Sequence, residues 1–119
     1  MANDLNILNY LEAGIKAEGS RQKLIANNVA NMNTPGYRRT DIRFEEILAK
    51  AIETKGKIDM SGFKPEIYQP KTTSLKSNGN DVHLETEVGS MVKNSLKHST
   101  YIKLLKKKYE QMKASMSVR

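Results

Sequence analysis

The sequence predicts a mainly α fold, in which long N-terminal and C-terminal helices pack as a coiled-coil-like pair. A short helix and a loose middle segment able to hold a strand lie between them. Three observations carry this. Apolar residues recur at alternating steps of three and four near both ends of the 119-residue chain. Thr34-Pro35-Gly36 interrupts the first of these stripes. The stretch 56–80 is rich in Gly, Pro, Lys, Ser and Thr, and poor in apolar residues.

The first stripe runs Leu8, Leu11, Ile15, Glu18, Gln22, Ile25, Val29, Met32, with two polar exceptions in the middle. Such spacing places one face of a helix against another helix. Asn3 or Asp4 is suited to cap its start. Gly14 and Gly19 each cost about 1 kcal/mol in helix propensity relative to Ala, and leave space for a close neighbour. Pro35 pushes Thr34 out of the helical region, and Pro-Gly signals a turn. A helix over 1–34 is followed by a turn and a short helix within 35–55. Its amphipathic part is Phe44 to Ile52, with Asp41 as expected N-cap and Gly56 as expected terminator.

Residues 56–80 read as a flexible loop, with Ile67 and Tyr68 allowing a short strand around 63–69. Asn78-Gly79-Asn80-Asp81 is a turn and capping signal. The second helix falls within 81–119. Its stripe is Val88, Met91, Ser95, His98, Ile102, Leu105, Tyr109, Met112, Met116, with Lys on the remaining faces. These four stretches form one domain, 1–119, since this length has room for no more. The two helices most simply lie antiparallel if they pair within one chain.

The totals exclude much else. No cysteine is present, so disulfides and thiolate metal sites are absent. No apolar run reaches transmembrane length, and the N-terminus lacks the pattern of a cleavable secretory signal. Catalysis has little to stand on. The two histidines, His83 and His98, join no nucleophile pattern, and no phosphate-binding glycine motif occurs. No cofactor, metal or small-molecule substrate is expected. The formal net charge is +7, and all of the excess sits on residues 90–119. The Lys-rich helix end therefore supports an alternative reading, a basic helical protein binding nucleic acid or another acidic surface. Lys where base reading favours Arg and Asn or Gln disfavours nucleic acid.

The segment Ala26-Asn27-Asn28-Val29-Ala30-Asn31-Met32-Asn33-Thr34-Pro35-Gly36-Tyr37 resembles the N-terminal signature of the flagellar basal-body rod and hook family. Two further segments are similar to that family's approach to its C-terminal helix, Gly79-Asn80-Asp81-Val82-His83-Leu84-Glu85-Thr86-Glu87-Val88 and Asn94-Ser95-Leu96-Lys97-His98. His83 departs from the pattern, which has Asp there to cap the helix. Either Asp81 takes over the cap or the helix starts later.

The resemblance implies a structural subunit of the proximal rod, assembling as a tube in the periplasmic part of the basal body. It implies export by the flagellar type III apparatus without a cleaved signal peptide. Implied partners are copies of the chain, other rod proteins, basal-body ring proteins, and export-gate or adaptor proteins. The expected assembly interface comprises Leu8, Leu11, Ile15, Ile25, Asn28, Val29, Asn31, Thr34, Pro35, Gly36, Tyr37, Ile102, Leu105, Tyr109 and Met112. Phe44 and Leu48 fit a spacing that resembles the export-recognition motif of early flagellar substrates. With two apolar seams unmatched, the free monomer is expected to be only partly ordered.

Overall fold

The computed structural model describes residues 2–46, 49 and 65–117. Helix α1 (Ala2–Ala30) leads through a turn to strand β1 (Asp41–Arg43). Strand β2 (Glu66–Tyr68) and helix α2 (Leu84–Ser117) follow. The helices are 29 and 34 residues long. They lie side by side and antiparallel. Asn28 meets Glu87 at one end, Asn94 reaches Glu18 further along, and Tyr10 stacks edge-on against Tyr101 beyond that. The molecule measures 67 × 27 × 18 Å.

The first stripe behaves as its spacing predicts except at Gln22, which is exposed. Leu8, Leu11 and Ile25 are buried, while Ile15, Val29 and Met32 are half-buried. Its polar member Glu18 is also fully buried, because Arg21, one turn on, reaches its carboxylate at 2.6 and 2.8 Å. A second face of α1 carries more of the core than its periodicity advertised. Ala13 and Ala17 pack with Ile42 and Phe44, flanked by Tyr10 and Leu24. The helix begins at Ala2, so Asn3 and Asp4 lie inside its first turn rather than ahead of it.

Gly14 lies under the Tyr101 ring of α2. A Cβ there would meet the Tyr101 ring at 2.8 Å, so only glycine permits this approach. Gly19 has open space around it among the described residues.

Asp41 does not cap a helix. It opens β1, where its Oδ1 accepts from the Ile42 N–H at 2.7 Å and from Arg21 Nε at 3.1 Å. Strand β1 pairs antiparallel with β2, Ile42 opposite Ile67, and Arg43 stacks on the Tyr68 ring at 4.2 Å. The sequence allowed a strand around 63–69 within an expected loop, and one forms at Glu66–Tyr68, whereas its partner at Asp41–Arg43 was not foreseen. Glu45, Glu46 and Ala49 are helical. The rest of the expected short helix, Leu48 included, and its terminator Gly56 lie outside the described residues. Of the expected loop at 56–80, residues 65–80 are described. They carry β2 and a turn that docks on the end of α1.

Helix α2 starts at Leu84 with His83 in the capping position, its carbonyl accepting from the Glu87 N–H at 3.0 Å. Asp81 does not take over the cap, and the helix start is not displaced beyond His83. The His83 ring lies 2.8 Å from the Ser74 carbonyl instead, and Asp81 turns toward the chain after α1. Glu85 and Glu87 in the first turn suit the positive end of the helix.

The inward face of α2 also differs from its apolar stripe. Glu87 and Asn94 are its buried residues, whereas Val88, Met91 and Ser95 face outward. The reason is geometric. A strict 3.5-residue stripe drifts about 20° per heptad around a straight helix. Over the two heptads from Val88 to Ile102 this swings the stripe about 40° toward α1; Ile102, Leu105 and Met112 are half-buried, while Tyr109 and Met116 stay exposed.

Candidate functional site

The two sequence segments that looked distinctive, 26–37 and 79–88, meet in a single buried clasp. The chain leaves α1 through Asn31 and turns back at Thr34-Pro35-Gly36-Tyr37. The Tyr37 N–H donates to the Thr34 carbonyl at 3.2 Å, and Gly36 sits at φ 75°. Pro at the second position and a left-handed Gly at the third make this a type II turn. Gly36 donates its N–H to the Asn78 carbonyl at 2.9 Å. Gly79, at φ 82°, faces the Gly36 backbone, where an added Cβ would lie 3.5 Å from the Gly36 Cα. Two left-handed glycines thus bring two turns into contact.

Asn80 seals the pair. It is fully buried, and its Nδ2 donates to the carbonyls of Asn31 and Thr34, both at 2.8 Å. Those carbonyls follow the end of α1, where backbone acceptors otherwise lack partners. Its Oδ1 accepts from the Val82 N–H at 2.7 Å. Asp81 takes the Arg39 N–H at 2.6 Å and lies 3.6 Å from Arg38 Nε.

Behind them, Asn28 uses both ends of its amide. Nδ2 donates to the Thr40 carbonyl at 3.0 Å and to Glu87 at 3.2 Å. Oδ1 accepts from the Thr40 N–H and the Tyr37 hydroxyl, each at 3.0 Å. Glu87 completes the set by accepting from Arg39 Nε at 2.6 Å. Glu87 is fully enclosed and the Arg39 side chain is 6% exposed, so each charge depends on the other for compensation. Burial alone would lower the Arg39 pKa, but the hydrogen bond and charge of Glu87 hold it raised.

A second polar cluster sits midway along the helix pair. Arg21 bridges Glu18, Asp41 and Glu45, and Glu45 also accepts from Lys97 of α2 at 2.9 Å. Burial would raise the Glu45 carboxyl, yet hydrogen bonds from Arg21 and Lys97 outweigh it and hold the group at about 2. Burial, with Tyr10 beside it, pushes the Tyr101 phenol up to about 12. Asn94 donates to the Glu18 carbonyl at 2.6 Å. These bonds fix the rotation of α2 about its axis.

The expected interface residues therefore divide. Leu8, Leu11 and Ile25 are buried inside the chain's own helix pair. Asn28 is buried in the clasp, with Asn31 and Tyr37 half-buried around it. Thr34, Pro35 and Gly36 present an exposed outer edge. Tyr109 is about half exposed. Phe44 is fully buried in the core.

Sequence reasoning missed Arg21, Arg39, Asn80 and Glu87 as partners. Arg39, Asn80 and Glu87 stand within or beside the distinctive segments. That was the available signal, since polar residues in two unusual segments invite pairing between them. Arg21 carried none beyond its one-turn spacing from Glu18.

What remains uncovered is an apolar face on the first half of α2. Leu84, Val88, Met91, Val92 and Leu96 are between 39 and 65% exposed. Beyond it lie the exposed Lys103, Lys106, Lys107 and Lys113. Among the described residues, no group of three or more His, Cys, Asp or Glu could hold a metal ion, and no helix is long and apolar enough to cross a membrane.

A family model described as flagella basal body rod protein matches residues 8–38. The flagellar basal body rod protein FlgB of Borreliella burgdorferi is 32% identical over an alignment covering 64% of this chain and 70% of that protein. FlgB of Bacillus subtilis is 26% identical, with 90% of each chain covered. FlgB of Yersinia ruckeri is 28% identical, covering 93% of this chain and 91% of its own length.

Proposed function

Because the chain belongs to the flagellar basal body rod protein family, we propose that it is a structural subunit of the proximal rod, joined into a tubular shaft through its terminal helices. The observation that carries this reading is the apolar face left open along α2. A helix pair whose own core were complete would place those side chains inside. Here the buried bonds of Glu87 and Asn94 take the inner positions, and the apolar residues stay available to neighbours.

The clasp has a matching role. It holds α1 and α2 in fixed register, so that each subunit offers the same surface. Identical surfaces meeting by a rotation that does not close build a helical assembly rather than a ring. The partners on this reading are copies of the chain, other rod proteins, and the ring and export components of the basal body. Travel by the flagellar export apparatus follows from the same family reading. Phe44 is accessible to an export component only before it enters the core, which fits recognition of an unfolded chain.

Mass spectrometry of basal bodies, stripped of filaments and washed in high salt, tests the assignment. The chain is expected in stoichiometric amount with the other rod subunits. Its absence while they are present would overturn the reading.

A further inference from the structure

We infer that two surfaces on opposite sides of this molecule are the two halves of one contact, and that the occupant of each is a second copy of the chain. This rests on the proposed function and specifies which surfaces meet.

The first half is the ridge on α2. Leu84, Val88, Val92 and Leu96 follow one another at steps of four and are each at least half exposed. Residues at that spacing stand along one side of a helix, here over about 18 Å at 1.5 Å per residue. The second half is a groove of about 750 Å³ on the outer side of α1, where Gly19, Ser20 and Ala26 form a low floor beside Pro65. Among the described residues, no heavy atom beyond Gly19's own helix backbone lies within 4 Å of a Cβ built there. Between Lys16 and Ala26 the groove runs about 15 Å along its helix. Large side chains at four-residue intervals pack into the gaps between small ones on a facing helix, and the two lengths agree.

Charge selects which part of α2 can enter. Lys16 and Lys23 line the groove. Glu85 is exposed beside Leu84 and Lys93 beside Val92, so the start of the ridge is the part that meets those lysines favourably. The later part of α2, with Lys103, Lys106, Lys107 and Lys113, would meet them with like charge. Rotation selects the face as well, because Glu87 and Asn94 tie the opposite side of α2 to α1. Ridge and groove are different patches of one chain, so the contact is head-to-tail, and each bound copy leaves a fresh ridge and a fresh groove.

Cysteine cross-linking tests this directly, because the chain has no cysteine of its own. Ser20→Cys marks the groove and Val88→Cys marks the ridge, both exposed positions outside the core. Basal bodies are isolated from cells carrying each single variant, both singles together, or the double variant, then oxidised and run without reductant. The co-expressed singles are expected to give a band at twice the 13.4 kDa chain mass, and the double variant a ladder. Each single variant alone should stay at one chain mass. If the chain is in basal bodies and no ridge-to-groove product forms, this inference fails while the rod assignment stands. Cross-linking of Val88→Cys to itself would replace it with a symmetric ridge-to-ridge contact. Absence of even the unaltered chain from basal bodies overturns both. A substitution that itself prevents incorporation is moved to Gln22→Cys or Val92→Cys, on the same two surfaces.

Discussion

Replacing Glu87 with alanine removes the acceptor that both Arg39 and Asn28 use inside the clasp. Glu87 is fully enclosed and the Arg39 side chain nearly so. The variant therefore leaves a guanidinium buried with its main partner gone. Breaking a buried pair in this way costs about 3–5 kcal/mol. Asn28 keeps its bonds to Thr40, so its share of the loss is small. For a chain of this size each kcal/mol moves the midpoint by about 4 °C, which gives a fall on the order of 12–20 °C. Glu87→Gln keeps the shape and one acceptor but loses the charge, and should cost about 1.5–3 kcal/mol. Arg39→Met combined with Glu87→Leu removes both charges and should recover stability to within about 1 kcal/mol of the starting chain. Thermal and urea unfolding followed by circular dichroism reads all three. Glu87→Ala within about 1 kcal/mol of the parent would show that the clasp does not hold the helices. A double variant as weak as the single would show that shape, not charge compensation, governs the site.

Gly14→Ala and Gly19→Ala should have opposite signs. The first drives a methyl into the Tyr101 ring and costs about 1–3 kcal/mol, whereas the second meets open space and gains about 0.5–1 kcal/mol, as paired melts would show. Gly36→Val forces a β-branched residue to a left-handed φ and should lose at least about 1–3 kcal/mol; a motile strain carrying it would contradict the turn. Ile25→Asp places a carboxylate at a site 2% exposed and should abolish both the cooperative melt and recovery of the chain in basal bodies. The Glu45 carboxyl is held near 2, below its ordinary 4.5. Its contribution is full above pH 4.5 and is lost as pH falls toward 2. A Glu45→Gln variant should therefore lose less stability over that interval, measured by urea unfolding at each pH.

The helices were legible because burial imposes a period on apolar residues, and Leu8, Leu11 and Ile25 satisfied it. The end of α1 was legible because Pro35 and Gly36 each have a backbone reason to stop a helix. Strand β1 was not. Three residues, Asp41-Ile42-Arg43, show too little alternation to declare a strand, and its partner lies more than twenty residues later. Local sequence also could not assign Asp41, since an Asp ahead of an amphipathic stretch reads as a cap until Arg21 arrives from α1. The rotation of α2 was hidden for a related cause. An apolar stripe states which residues avoid water in the final assembly. It does not state which of two neighbours, the same chain or another, covers them.

That distinction explains why the inner face of α2 is polar over its first half. A wholly apolar α1–α2 seam would allow α2 to rotate or slide, since alternative apolar registers differ little in free energy. Glu87 with Arg39 and Asn28, and Asn94 with the Glu18 carbonyl, accept only one register, because any other leaves buried polar groups unpaired. The cost is a weaker helix pair, and the consequence is an apolar ridge that points outward in the same direction on every copy.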